Sequence, residues 1–424
     1  MTPGVSVAAE RAPDILTRLR AVPGLKVIAE LPAGQAGYRS FQLTFRQPID
    51  HRHPAKGSFE QRVTLMDTGA DKPTVLDTTG FFLLDPPVLA EPTQLVGGNQ
   101  ISVEERFFGP STPQPADWTK DTIWQAATDH HVLVQALKHV YRGPWISTGA
   151  PGKGGMTTVY HRRFYPRDVD GSVVYSAAND VDNTQNQAYD KFLTTVGPKE
   201  CREAIQALQR QALIRRDELV PRYAAYAKKM GLTFTTMGTP DHAWEGQVRD
   251  TIWGFFQNDK LSDCAKVPPA DASTDAIWDF FLNLTDMTWY TDTFLDAYMP
   301  YYYQAMAQLG WPQPEFSYLA DLRKYPHDYT PKDFVPAEIQ PRRFDTAAMA
   351  DIDHWVRTAG SRLIFLYGEN DPYSVKPFRF GSGTRDSLWY KAAGVGTSGQ
   401  TIQALPESQR LRVIASLRRW TGSS

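Results

Sequence analysis

The stretch PWISTGAPGKGGMTTVYHRRFYP, residues 144–166, decides how this chain is read. Its first six residues form a short apolar run ending in glycine, as a buried strand does. The small residues Ala150, Pro151 and Gly152 follow, and residues 152–166 have the spacing of a helix stopped by Pro166. A strand that turns through small residues straight into a helix packs backbone on backbone, which calls for glycine. Upstream, PTVLDTTG (73–80) and NQISVEERFFGPS (99–111) each carry a strand. Residues 121–143 place Ile123, Ala127, Val134, Leu137 and Val140 at helical spacing. Downstream, VDGSVVYSAAND (169–180) is the next strand. Strand and helix in alternation predict a parallel sheet with crossover helices.

Farther out the pattern changes twice. Residues 25–80 read as β, with Gly or Pro between the runs, and residues 185–345 read as aromatic-rich helices with few strand signals. Pro336 and Pro341 mark the exit from that helical stretch. SRLIFLYGENDP (361–372) is then a buried strand ending in an acidic turn, SLWYKAAG a last strand, and PESQRLRVIASLRRWTG a closing helix. The expected class is α/β: an α/β-hydrolase core, its mostly parallel sheet flanked by helices, with a large helical cap inserted. The expected division is core 1–184, cap 185–345 and core again 346–424. A chain of 424 residues can bury such a core without staples, and its 11 Trp, 19 Tyr and 21 Phe require burial, which excludes disorder as the main state.

Charge narrows the partners. The net charge is −2 with no basic stripe, so nucleic acid is not expected. No apolar run approaches the ~20 residues of a membrane span, and no membrane partner is expected. The first 25 residues lack the basic start and apolar centre of a secretory signal, being interrupted by Arg11, Asp14, Arg18 and Arg20; a cytoplasmic protein is the expectation. Cys201 and Cys264 are too few for a disulfide scaffold, and pairing or two free thiols both remain open. No G-x-G-x-x-G after the first strand, no Walker motif and no H-E-x-x-H occurs, so no cofactor is expected. His130 and His131 are neighbours rather than i, i+4, so no metal site is expected either.

The block WISTG (145–149), followed by KGGMTTVYHRRFYPRDVDGSVVYSAAND (153–180), resembles the actinobacterial prolyl tri/tetrapeptidyl aminopeptidases. The stretches DTTGFF, SVEERFFGPSTP, DWTKDTIWQAATDHH and YGENDPYSVKPFRFGSGTRDS look like that family as well. The resemblance covers nearly the whole chain and implies a secreted serine peptidase with an α/β-hydrolase core and helical cap. Two departures stand out. Where the family has a small residue and the nucleophilic serine before Lys153, this chain has Ala150, Pro151 and Gly152, so Gly152 holds the nucleophile's place. Asp371 matches the family's triad acid, but no histidine follows His354, and Thr397 or Ser398 stands where the base would be. A hydroxyl is no general base near neutral pH, so serine-type acyl transfer is not expected.

The sequence therefore leads to the expectation of a triad-less, repurposed member: a cofactor-free tailoring enzyme joining carbon–carbon bonds by Michael or aldol-type addition. Its expected partner is a large aromatic polyketide of the anthraquinone or enediyne type. The alternatives are a non-catalytic metabolite-binding or self-resistance protein and a residual aminopeptidase or hydrolase. The catalytic candidates are the backbone N–H groups at Phe81 and Lys153 as oxyanion donors, with Asp371 or Glu105 to move a proton. The expected substrate-binding residues are Gly80, Phe82, Gly152, Gly154, Arg106 and Asn179, the aromatic wall Trp289, Tyr290 and Tyr302, and Thr397 and Ser398. Of Glu104 and Glu105, one is expected in the pocket or in an ion pair with Arg106.

Overall fold

In a computed structural model, which describes residues 14–258 and 261–423, nine strands form one sheet. They are β1 (Leu25–Leu31), β2 (Arg39–Pro48), β3 (Ser58–Asp67), β4 (Thr74–Asp77), β5 (Asn99–Val103), β6 (Trp145–Thr148), β7 (Gly171–Tyr175), β8 (Leu363–Gly368) and β9 (Leu388–Ala392). The spatial order is β1-β2-β3-β5-β4-β6-β7-β8-β9. β1, β2 and β3 pair antiparallel, β3 pairs antiparallel with β5, and from β5 to β9 every pairing is parallel. Strands β5, β6, β7 and β8 are buried along their length, as helices on both faces require. This is the α/β-hydrolase architecture.

The helices of the first half are α1 (Ile15–Arg20), α2 (Glu91–Val96), α3 (Ile123–Leu137) and α4 (Lys153–Phe164). Next come α5 (Gln187–Thr195), α6 (Lys199–Ile214), α7 (Arg216–Met230), α8 (Pro240–Asn258), α9 (Thr274–Leu284), α10 (Asp292–Gln304) and α11 (Pro331–Phe334), with no described strand among them. α12 (Thr346–Thr358) and α13 (Glu407–Thr421) return to the sheet. The inserted helices carry their own core, with Trp244, Tyr223, Ile252 and Phe281 fully buried. On the sheet, α3 covers one side with Leu133, Val134 and Leu137, while α13 covers the other with Val413 and Leu417. No described helix is long and apolar enough to cross a membrane.

The buried guanidinium of the strand-end block is paired. Arg106 is fully buried and grips Asp129 of α3 with Nε at 2.6 Å and Nη2 at 2.7 Å, while His51 Nε2 lies 2.6 Å from the same carboxylate. The remaining guanidinium donors reach the carbonyls of Ile49, Lys120 and Pro48. The expected pairing of Arg106 with Glu104 or Glu105 is thus corrected: a bidentate carboxylate from α3 takes the fork instead.

Cys201 in α6 and Cys264 are bridged across 63 residues. The bridge closes part of the inserted region on itself and restricts its unfolded chain, an effect worth about 4 kcal/mol for a loop of this length in the chain-entropy picture. Cys264→Ser is therefore expected to lower the melting midpoint by several degrees, and thiol titration of the unfolded, unreduced protein to find no free thiol. Two reactive thiols there would show that the bridge does not form.

Candidate active site

β6 ends at Thr148, and the turn from Gly149 to Gly152 delivers the chain to the first residue of α4, Lys153. Gly152 has φ +81° and ψ −116°, a backbone conformation that side-chain-bearing residues rarely adopt. Its N–H donates to the carbonyl of Tyr175 at 3.2 Å. This is the strained strand-to-helix elbow that lifts a nucleophile above a sheet of this kind, here with no side chain at its tip. A β-carbon on Gly152 would meet only the ring of Tyr373, at 3.8 Å.

The loop after β4 packs against the elbow. A β-carbon on Gly80 would come within 2.6 Å of the Gly154 Cα, and one on Gly154 would collide with the Thr79 carbonyl. Gly80 and Gly154 are thus contact points between two backbones and line neither cavity at the elbow. Their close approach sets the N–H of Lys153 beside the loop that carries Phe81. As the first residue of α4, Lys153 has no intrahelical acceptor for that N–H, and no described backbone group accepts from it. The Phe81 N–H has only a long contact, 3.4 Å, to the Thr79 hydroxyl.

The side chain of Lys153 turns inward. Its Nζ pairs with Glu105, fully buried, and lies 5.7 Å from the Phe81 ring centre and 5.4 Å from that of Phe108. Glu105 also accepts from the Thr157 hydroxyl at 2.9 Å and from Gln304 Nε2 at 3.2 Å. Gln304 continues to Asp121 at 2.6 Å, whose carboxyl burial holds well above the usual carboxylate range. Glu105 is therefore an interior partner of the elbow. Glu104 turns elsewhere, to Arg62 and the Ser111 hydroxyl.

Asp371 follows β8 and is buried, which raises its carboxyl above the ordinary range; hydroxyls of Ser176, Ser374 and Thr397 and the N–H of Tyr373 pull the other way. Ser176 Oγ donates at 2.5 Å and Tyr373 N at 3.0 Å, and Ser374 and Thr397 also donate to the carboxylate. Thr397 thus shares Oδ1 of Asp371 with the Tyr373 N–H. Ser398 beside it is exposed and lies 3.2 Å from Asn258 Oδ1.

Two cavities meet at the elbow. The first, of about 380 Å³, lies under the inserted helices; Trp289, Tyr290 and Tyr302 line it together with Lys153, Tyr373 and Thr397. The second, of about 470 Å³, lies toward α2 and is lined by Phe82, Ser398 and Asp77 among others. Phe81, Pro151, Tyr298 and Thr397 line both, and no histidine lines either. Asp371 and Glu105 stand behind these walls, and Arg106 and Asn179 are not brought to them; Asn179 donates instead to Asp353 at 2.7 Å. The sequence reading missed Arg249 and Asp250 of α8, which line the first cavity, and Asp77, whose carboxyl burial lifts to about 6. Arg249 was detectable as a charge within the otherwise buried stripe Glu245, Arg249, Ile252 and Phe256. Among the described residues no His, Cys, Asp and Glu cluster could hold a metal ion.

The elbow's glycines differ in what they tolerate. Gly154→Ala is expected to lower the melting midpoint markedly, because the Thr79 backbone cannot give way. Gly152→Ala makes only van der Waals contact with the Tyr373 ring and incurs the positive-φ strain, about 1–3 kcal/mol. Equal midpoints for the two variants, followed by circular dichroism, would contradict this packing.

The family model PS-10 peptidase S37 matches residues 8–424. The chain is 46% identical over 419 residues, 98% of its own length and 87% of the other's, to a prolyl tri/tetrapeptidyl aminopeptidase of Streptomyces mobaraensis. It is also 26% identical over 191 residues, 39% of this chain and 35% of the other, to the serine protease vicPb of Bipolaris victoriae. Among solved structures it is similar to a proline iminopeptidase of Mycobacterium smegmatis, at 15% identity and TM-score 0.43, covering 89% of this chain and 98% of that one. The near-full-length identity to an aminopeptidase overturns the expectation of a carbon–carbon bond-forming tailoring enzyme of antibiotic or enediyne biosynthesis. With it goes the expected aromatic polyketide partner, since the relative is a peptidase. From residue 8 to its end, this chain belongs to the PS-10 peptidase S37 family.

Proposed function

We propose that this chain cleaves peptides close to their amino-terminal end by direct attack of water, without an acyl-enzyme. The observation that carries the reading is Gly152: the elbow backbone is kept, between a strand and a helix N-terminus, while the attacking side chain is gone. The 46% identity to an aminopeptidase supports peptide as the substrate class. In this reading the scissile bond lies over Pro151, where the cavities meet, and its carbonyl oxygen faces the N–H groups of Lys153 and Phe81. Such donors act on the oxyanion of any tetrahedral intermediate, whether serine or water has attacked. Water adds to the carbonyl carbon and the C–N bond breaks. One water proton ends on the leaving amine, and the new carboxylic acid loses the other to solvent. Asp371, with four donors on its two oxygens, holds Thr397 and the surrounding loop rather than a base.

Triad removal in serine peptidases leaves about 10³–10⁴-fold acceleration over water, supplied by the oxyanion site and binding. The purified protein is therefore expected to release p-nitroaniline slowly from a tripeptide anilide ending in proline, without a burst and without labelling by a fluorophosphonate. The double variant Gly152→Ser/Thr397→His places a hydroxyl at the open elbow tip and an imidazole beside Asp371; labelling is expected to appear in it. Fast release by the unaltered chain, abolished by a serine-directed inhibitor, would overturn the reading, as would release no faster than in buffer.

A further inference from the structure

The cavity toward α2 carries acid without a counter-charge. Asp77 and Glu91 line it, and among the described residues no lysine, arginine or histidine does. Glu91 is spent on structure: its oxygens accept from the Tyr175 hydroxyl at 2.9 Å and from the N–H groups of Ile402 and Gln403 at 2.7 and 3.0 Å. Asp77, the last residue of β4, accepts from the Thr79 N–H at 3.2 Å and from the Ser102 hydroxyl at 2.9 Å, and no ion pair among the described residues includes it. Two donors leave lone pairs of a carboxylate open, and burial with no cation beside it lifts this carboxyl to about 6. Gln400 lines the same cavity and is only 3% exposed, yet neither its Oε1 nor its Nε2 has a hydrogen-bond partner among the described residues. The hydroxyl of Thr148, the β6 residue paired with Asp77, has none either. Buried polar groups left unpaired are costly. Apolar side chains make most of the remaining wall, among them Phe82, Pro87, Val88 and Pro92.

We infer that this second cavity holds the residue that follows the cleaved bond and selects lysine or arginine there, with Asp77 taking the cation and Gln400 Oε1 as a further acceptor. The inference rests on the peptide reading of the elbow and adds a side-chain preference to it. A bond over Pro151 has one side in each cavity, because Pro151 and Thr397 line both. The first cavity lies beneath the inserted helices, whereas Leu84 and Val88 of the second are 66% and 62% exposed. A bond close to the amino end leaves a short piece on one side and the whole remaining chain on the other, and the open cavity lets that remainder run out to solvent. Lysine and arginine carry a long apolar stem that packs on apolar walls and a cation at its tip, the match for an apolar slot with a carboxylate in it. A neutral side chain of equal length leaves Asp77 without a partner, and an acidic one adds a third carboxylate to the cavity, which repels it.

The test is calorimetric binding of two dipeptide amides with free α-amines, lysyl-alanine amide and norleucyl-alanine amide, which share the unbranched stem and differ in the terminal ammonium. The unaltered chain is expected to bind the lysyl peptide at least about tenfold more tightly, as hydrogen bonds to a charged group allow. Asp77→Asn is expected to erase that preference, Gln400→Met to narrow it, and Asp286→Asn, at an exposed aspartate of the first cavity, to keep it. Equal binding of the two peptides by the unaltered chain, a comparison that needs no variant, would overturn the subsite. So would a preference that survives Asp77→Asn or is lost in Asp286→Asn. Neither peptide has to be cut to bind. A lysyl preference without anilide release would therefore leave the subsite standing and remove the hydrolytic reading; anilide release by a chain that binds both peptides equally would do the reverse.

Discussion

The carbonyl of Thr79 and the backbone of Gly154 touch so closely that no β-carbon fits between them, and Gly80 and Gly149 press on the same segment from neighbouring sides. This backbone-on-backbone contact joins the loop after β4, the turn after β6 and the start of α4 into one rigid piece. Its stability owes nothing to a side chain at the tip of the turn. The N–H of Lys153 is held in place by main chain alone. At the tip of the turn a β-carbon on Gly152 would meet the Tyr373 ring at van der Waals distance.

The same elbow is tied to the inserted helices through buried charge. Lys153 pairs with Glu105, Glu105 accepts from Gln304 of α10, and Gln304 donates to Asp121. Removing one member of a buried ion pair typically costs about 3–5 kcal/mol, because the partner is left uncompensated. Lys153 is thus bound by its side chain to a fold-wide network while its backbone faces the cleft. Through this network α10 of the inserted region is tied to the elbow.

What the sequence made legible follows from local rules. The run 144–166 gave strand, turn and helix because apolar length, glycine and proline act within a few residues of themselves. The position of Thr397 beside Asp371 was legible for a related reason: both lie in short loops directly after neighbouring strands, β9 and β8. Partner choice in the interior was not legible. Arg106 lies beside two glutamates in the chain, yet its fork closes on Asp129 in α3, and Glu105 takes Lys153 from 48 residues downstream. Such choices depend on which helix covers which strand, and no periodicity encodes that. Trp289, Tyr290 and Tyr302 do line the first cavity, but aromatic faces pack proline and peptide side chains as readily as flat rings, so composition alone does not name the ligand.

Asp371 is the buried carboxylate on which the loops at the carboxyl edge of the sheet converge. A buried carboxylate with no partner would be expelled or neutralised. Here Ser176, Ser374, Thr397 and the Tyr373 N–H each donate to it, and together they offset the burial that raises its carboxyl. All four donors come from three segments: the end of β7, the turn after β8 and the loop after β9. The acid is a pin holding three loops at the carboxyl edge of the sheet. An imidazole in place of Thr397 would satisfy the same oxygen and add a base, whereas a residue without a donor would leave the oxygen bare. The Thr397 hydroxyl supplies that donor and ties the loop after β9 to the acid.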